Sequence, residues 1–327
     1  MIGSEKMIQG GYPKMKRKWK ALLFISALVG LPALYNAHVE KRFRLAFGKR
    51  ERGKLYSWVY GDIRYMVRGK GKPLLLVHDI GGGAGLHEWD RAIAALSRQY
   101  TVYAIDLIGF GLSDKPAMSY SPYLFARCIN DFARDVIGGK ANIAASGLGA
   151  AFAAAAYKLA PELYSKVLLV SPEGVGMALD LADDKQKWVR RLLELPVFGT
   201  FIHNIMHRVP VMRYLMTGDF YRAQAIPDDF WQKSHESAYY GGASAKYPLA
   251  AYAAKELNLD TERLLRDVHI PVHIIWGGQN RDNPPENFES ILANSPGINL
   301  TVLPHAGRYP HYEDDRAFCR ECIRFFQ

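Results

Sequence analysis

The chain has 327 residues, 49% of them hydrophobic and 23% charged, and a formal net charge of +10. That length accommodates one large α/β domain with an inserted lid, or two small domains, and the composition is that of a globular protein. The positive charge gathers in KMKRKWK (14–20) and EKRFRLAFGKRERGK (40–54), on either side of an apolar stretch. Basic residues so placed act as topology determinants or lipid-headgroup contacts. No zinc-finger spacing or aromatic RNA-binding motif accompanies them, so nucleic acid is not an expected partner. Three cysteines are too few for a disulfide framework.

The first feature in chain order is the apolar stretch ALLFISALVGLPALYNAHV (21–39), inside a basic N-terminal segment of residues 1–54. Its uninterrupted part, Ala21 to Tyr35, is short for a spanning helix of about 20 residues. It becomes adequate if Lys20 snorkels and the helix runs to Val39. A cleavage site needs small residues, but Tyr35 and Leu31 stand at the −3 positions before Ala37 and Ala33. The expectation is therefore a single-pass signal anchor that places the protein at a membrane. The tighter basic cluster at 14–20 favours an extracytoplasmic body.

From Tyr56, SWVYGDIRYMVRGKGKP reads as a hairpin turning at Gly61-Asp62. PLLLVH (73–78) has the continuous apolar character of a buried parallel strand. A helix near 87–97, the strand TVYAID (101–106), a helix near 122–136, a strand near 141–146, an alanine-rich helix from about 149 and the strand KVLLVS (166–171) follow. This alternation predicts a doubly wound, mostly parallel sheet. Residues 175–256 read instead as aromatic-rich helices without a strand. The alternation resumes with VHIIWG (272–277), a helix near 285–294, NLTVLP (299–304) and a closing helix (311–326). Residues 55–174 and 257–327 thus form the core, and 175–256 a helical lid over the strand ends where ligands bind. Cys319 and Cys322 form a CxxC inside the closing helix, where they read as small apolar core residues rather than a redox pair. Cys128 reads as core.

Six segments carry a resemblance: HDIGGGAGLHEW (78–89), DLIGFGLSDKP (106–116), AASGLGA (144–150), LAPELYSKVLLVSPEG (159–174), IIWGGQNRDNPP (274–285) and LPHAGRYPHYED (303–314). Their order and spacing resemble the α/β-hydrolase superfamily, in the branch with a helical lid between the sixth and seventh strands. The resemblance covers roughly residues 55–327. It implies a Ser/Asp/His triad, yet the matching positions hold Gly147, Asn280 and Arg308. The apex of the elbow needs small residues two positions to either side, which Ala145 and Gly149 supply. A register with Ser146 at the apex would place Leu148 at the tight position. Glycine offers no nucleophile. Asparagine cannot stabilise an imidazolium by charge, and a guanidinium cannot act as a base at neutral pH. His78-Asp79 stands where the family shows His-Gly, so a carboxylate faces the expected oxyanion hole, and an Asp79–Arg308 ion pair would neutralise both charges.

The reading is a membrane-anchored pseudo-hydrolase with no catalytic residues. Its pocket comprises His78, Asp79, Ser146, Gly147, Leu148 and Arg308, binding a small apolar ligand or a protein partner, with no cofactor and no metal. One alternative is an active esterase-like serine hydrolase using Ser146, with His305 or His311 and Asp282 or Glu173. The other is a cofactor-free lyase-type enzyme using Asp79 as a general base. Aromatic residues of the lid, among them Trp188, Phe201, Trp231 and Tyr239, suit an apolar ligand or simple helix packing.

Overall fold

The computed structural model describes residues 17–47, 52–176, 184–295 and 297–327. Eight strands form one sheet: β1 (Lys54–Trp58), β2 (Gly61–Arg68), β3 (Lys72–Val77), β4 (Tyr100–Ile105), β5 (Ala141–Ser146), β6 (Tyr164–Val170), β7 (Val272–Gly277) and β8 (Asn299–Leu303). Their spatial order is β1-β2-β4-β3-β5-β6-β7-β8. The pairs β1–β2 and β2–β4 are antiparallel and the rest parallel. The central strands are buried on both faces, which is why Leu74–Val77 of β3 and Val167–Val170 of β6 read as unbroken apolar runs.

The hairpin differs from its expected form. Trp58 pairs with Gly61, so Val59-Tyr60 makes the turn and Gly61 opens β2. Gly61 has φ +136, and a Cβ there would lie 2.8 Å from the Cβ of Asp114. The glycine serves a strand start crowded by a neighbouring loop, not the turn itself.

Helices cover both faces. One layer holds α3 (Pro122–Phe132) and α4 (Gly147–Leu159), following an N-terminal α1 (Arg17–Phe47) and, on the opposite face, α2 (Asp90–Leu96). Between β6 and β7 run α5 (Asp184–Glu194), α6 (Phe198–Met206), α7 (Val209–Leu215), α8 (Asp228–Tyr239) and α9 (Lys246–Ala253). α10 (Thr261–Leu265) also precedes β7, α11 (Phe288–Asn294) follows it, and α12 (Pro310–Glu313) and α13 (Asp315–Phe326) follow β8. The closing helix expected at 311–326 is split at Asp314, whose carboxylate caps α13 by accepting from the Ala317 amide at 3.2 Å. Phe125 and Phe152 stack at 4.7 Å between α3 and α4. Trp89, Phe318 and Phe326 fill the other core with Cys319 and Cys322. Burial pushes the Cys319 thiol up to about 12, which leaves it inert. Cys128 is also buried.

The single-pass anchor expected for 21–39 is not supported: among the described residues, no helix is long and apolar enough to cross a membrane. That stretch instead lies within α1, which continues to Phe47 and docks on the lid. Asn36 donates to the Val197 carbonyl at 3.0 Å and accepts from Asn204 at 2.9 Å. Tyr35 meets Phe201 edge-on at 5.4 Å, and Phe43 stacks on Tyr239 at 6.3 Å. Leu28, Leu31 and Leu34, three residues apart, remain exposed.

Candidate functional site

Gly147 joins β5 to α4 with φ +53, the left-handed turn of a strand–helix elbow. Two residues on, a Cβ at Gly149 would lie 2.1 Å from the His78 carbonyl, so that position also requires glycine. At Gly147 itself an added Cβ would fall 2.0 Å from Oδ1 of Asp79. The space a nucleophilic side chain would enter is occupied by a carboxylate.

Asp79 follows β3 and is fully buried. Its Oδ1 accepts from the Ile80 amide at 2.7 Å and from the Leu148 amide at 2.8 Å. Those are the two donors from which this elbow builds an oxyanion hole: the residue after the apex, and the loop after the third strand. The carboxylate oxygen stands where a developing oxyanion would sit. Oδ2 accepts from Nε of Arg308 at 2.6 Å, and Arg308 Nη2 contacts Glu173. Burial opposes the guanidinium charge, but the carboxylates of Asp79 and Glu173 outweigh it and hold the arginine protonated. Burial pushes the Glu173 carboxyl up, reinforced by Asp79 and opposed by Arg308. His78 braces the loop: its Nε2 accepts from the Leu107 amide at 2.9 Å, so Nδ1 carries the proton toward the Asp79 carbonyl.

The other positions singled out from sequence scatter around this centre. Asn280 leaves β7 and accepts from the Asn283 amide at 3.3 Å, holding its own loop. Asp282 and Arg308 line the same cavity. His305 is exposed and stacks on Tyr221 at 5.9 Å, away from that cavity wall. Ser146 is fully buried and donates to Glu88. His311, also fully buried, has Nε2 3.3 Å from Oε1 of Glu88 without a hydrogen bond, and lies over Trp89 at 4.1 Å. Ser146 and His311 therefore both address one carboxylate instead of each other, whereas an activated nucleophile needs a base as its acceptor.

A cavity of about 220 Å³ lies between this centre and the lid, walled by Glu88, Asp219, Asp282, Arg308, Tyr252 and Tyr309 among others. His87, on its wall, is bonded to Ser234 Oγ at 2.9 Å, and burial pushes its imidazole down to about 3, leaving it neutral. Sequence reasoning did not single out Glu88, Asp219, Tyr252 or Tyr309. Glu88 lies within a quoted motif, but nothing in its spacing marks it. Asp219 and Tyr252 enter the site only through the tertiary path of the lid.

The alpha/beta hydrolase family profile matches residues 74–321. The chain is 25% identical over 274 residues to a 2-hydroxy-6-oxo-6-(2'-aminophenyl)hexa-2,4-dienoic acid hydrolase of Metapseudomonas resinovorans, covering 81% of this chain and 87% of that protein. A shorter match, 36% over 128 residues and 37% of this chain and 36% of the other, is to a 1-acylglycerol-3-phosphate O-acyltransferase ABHD5 of Rattus norvegicus. Among solved structures, a serine hydrolase involved in carbazole degradation superposes with a TM-score of 0.70 at 22% identity, over 84% of this chain and 97% of the other. A membrane phospholipase A superposes with a TM-score of 0.67 at 22% identity, over 95% and 98%. By its profile match and its elbow-bearing sheet, the chain belongs to the alpha/beta hydrolase family.

Proposed function

We propose that this member of the family is a catalytically inactive binding protein, a pseudo-hydrolase whose pocket takes a small apolar ligand. One observation carries the reading: the Asp79 carboxylate sits on the Ile80 and Leu148 amides, pinned by Arg308, above a residue with no side chain. An ester carbonyl has neither a nucleophile to meet nor a free hole to enter. Ser146 is sealed beneath Glu88, which argues against the esterase alternative. Both oxygens of Asp79 are already engaged, Oδ1 by two amides and Oδ2 by the Arg308 guanidinium, which argues against its serving as the base of a lyase. The test is a serine-reactive fluorophosphonate probe together with p-nitrophenyl esters. No labelling and no turnover above background are expected; turnover that Ser146→Ala abolishes would overturn the reading.

We also infer association with a lipid surface through α1. The support is its exposed Leu28, Leu31 and Leu34 beside basic clusters at both ends. The likeness to a membrane phospholipase A, which extends over 95% of this chain, is in keeping with it. Flotation with vesicles tests it.

A further inference from the structure

The cavity above Arg308 does not end at the polar centre. A second cavity, of about 240 Å³, adjoins it, and the two share Gly82, Met216 and Tyr252 on their walls. Together they fall within the roughly 300–1,000 Å³ typical of small-molecule sites. The second arm is mostly apolar, walled by Leu193, Ile202, Met212 and Leu249 together with His203, His207 and Lys246, whose Nζ donates to the Leu195 carbonyl at 2.9 Å, and Met206 and Leu215 at its edge are exposed to the surface. The pair has the shape of a site for an apolar chain with a polar end.

The polar end has a definite sign. Glu88, Asp219 and Asp282 line the wall, and Asp79 and Glu173 lie against Arg308, the one cationic side chain of that wall. The guanidinium is already in contact with two carboxylates, and His87 is held neutral by burial. A carboxylate or phosphate head would add a like charge to this group, whereas an ammonium head would offset it. A second, independent feature points the same way. Tyr309, only 7% exposed, and the half-buried Tyr252 line this space, and neither hydroxyl has a hydrogen-bond partner among the described residues. Both hydroxyls are therefore open to a ligand in the cavity, and the carboxylates of the same wall supply acceptors. An ammonium brings three donors and no acceptor. Phe230, Tyr252 and Tyr309 line the same space, and the Arg308 guanidinium already lies over the Tyr309 ring at 5.9 Å, so this wall accommodates a cation.

We propose that the joined cavities bind a long-chain primary amine, its ammonium held by Asp219, Asp282 and the Tyr309 hydroxyl and its alkyl chain in the apolar arm. The proposal rests on the reading of this site as a binding pocket. The test is calorimetric titration of the full-length protein with decylammonium, decanol and decanoate, each below its micellar concentration. Decylammonium should bind at least tenfold more tightly than decanoate, with decanol between them. Asp219→Asn with Asp282→Asn should weaken decylammonium about tenfold and leave decanol unchanged. Tyr309→Phe, which removes one oxygen and keeps the packing, should weaken decylammonium several-fold. Met206→Trp at the edge of the apolar arm should weaken decylammonium and decanol alike. Equal or tighter binding of decanoate would overturn the inference while leaving the binding reading intact. Amine binding indifferent to all these variants would mean adsorption to exposed apolar surface and would also overturn it. Failure of all three ligands to bind would overturn both readings, and hydrolytic turnover would overturn the first alone.

Discussion

Gly147 and Asp79 are complementary by subtraction: the side chain missing from one position leaves room for the carboxylate of the other. Restoring a serine at Gly147 should therefore be costly. A residue with a Cβ in the left-handed region costs about 1–2 kcal/mol, and overpacking a filled site about 1–3 kcal/mol more. The added Cβ would lie 2.0 Å from Asp79 Oδ1. In urea denaturation, Gly147→Ser should destabilise the protein, and Asp79→Gly in the same chain should recover the overpacking part, giving a non-additive double-mutant cycle. Strict additivity would show that the two side chains do not compete for one space. The same geometry governs any attempt to rebuild activity. Gly147→Ser, Asn280→Asp and Arg308→His together supply nucleophile, acid and base, but Asp79 would still fill the hole. Since one oxyanion donor is worth about 10²–10³ in rate, adding Asp79→Gly should raise p-nitrophenyl ester hydrolysis above that of the triple variant. If the triple variant is already as fast, the carboxylate does not block the hole.

At the level of elements, α1 shows what periodicity conveys and what it does not. The apolar stretch was legible, but its division into a lid-facing side and a bare side depends on Phe201 and Tyr239, far away in sequence. A helix with a leucine row at Leu28, Leu31 and Leu34 and basic flanks suits the plane of a lipid interface. The intact protein should float with anionic vesicles, and Leu31→Glu with Leu34→Glu should release it without lowering the melting temperature, because neither leucine is buried. Retention of the double variant on vesicles would place the contact elsewhere. The strands of the core were readable because burial on both faces writes itself as uninterrupted apolar runs, as in Leu74–Val77 of β3 and Val167–Val170 of β6. The hairpin turn was not, because Gly61 answers to Asp114, a crowding that no local rule sees. Motif order singles out Gly147, which stands at the turn from β5 into α4, whereas Asn280, singled out the same way, holds its own loop. Glu88 was not legible, since its role comes from standing between Ser146 and His311 in space. The place of His305, stacked outside the cavity on Tyr221, was equally hidden.

Across the whole molecule, the site is a seam: core loops supply Asp79, Glu173 and Arg308, and the lid supplies Asp219 and Tyr252. The lid-to-core join is made partly by Asp219, whose backbone carbonyl accepts from the Arg308 amide at 2.7 Å. Burial pushes the Asp219 carboxyl up to about 6, opposed by Arg308 and reinforced by Asp79, Asp282 and Glu173. The unfolded chain releases that proton near the ordinary carboxylate value, about 3.9. Between pH 4 and 6 the folded state thus binds more protons at this group than the unfolded state does, so its contribution to stability falls as pH rises through that window. His87 and His207, pushed by burial down to about 3 and about 4, act oppositely: in the unfolded chain they take up protons below about 6.5, so their contribution falls as pH drops. The net pH profile of the wild type mixes these slopes, but a single substitution separates them. Asp219→Asn removes the carboxylate and leaves both histidines, so the variant should gain a few degrees of melting temperature over wild type at pH 7.5. That gain should vanish at pH 4, where Asp219 is protonated in the folded protein. A gain of equal size at both pH values would mean that the substitution acts through packing, and that Asp219 carries no strained charge at the seam between lid and core.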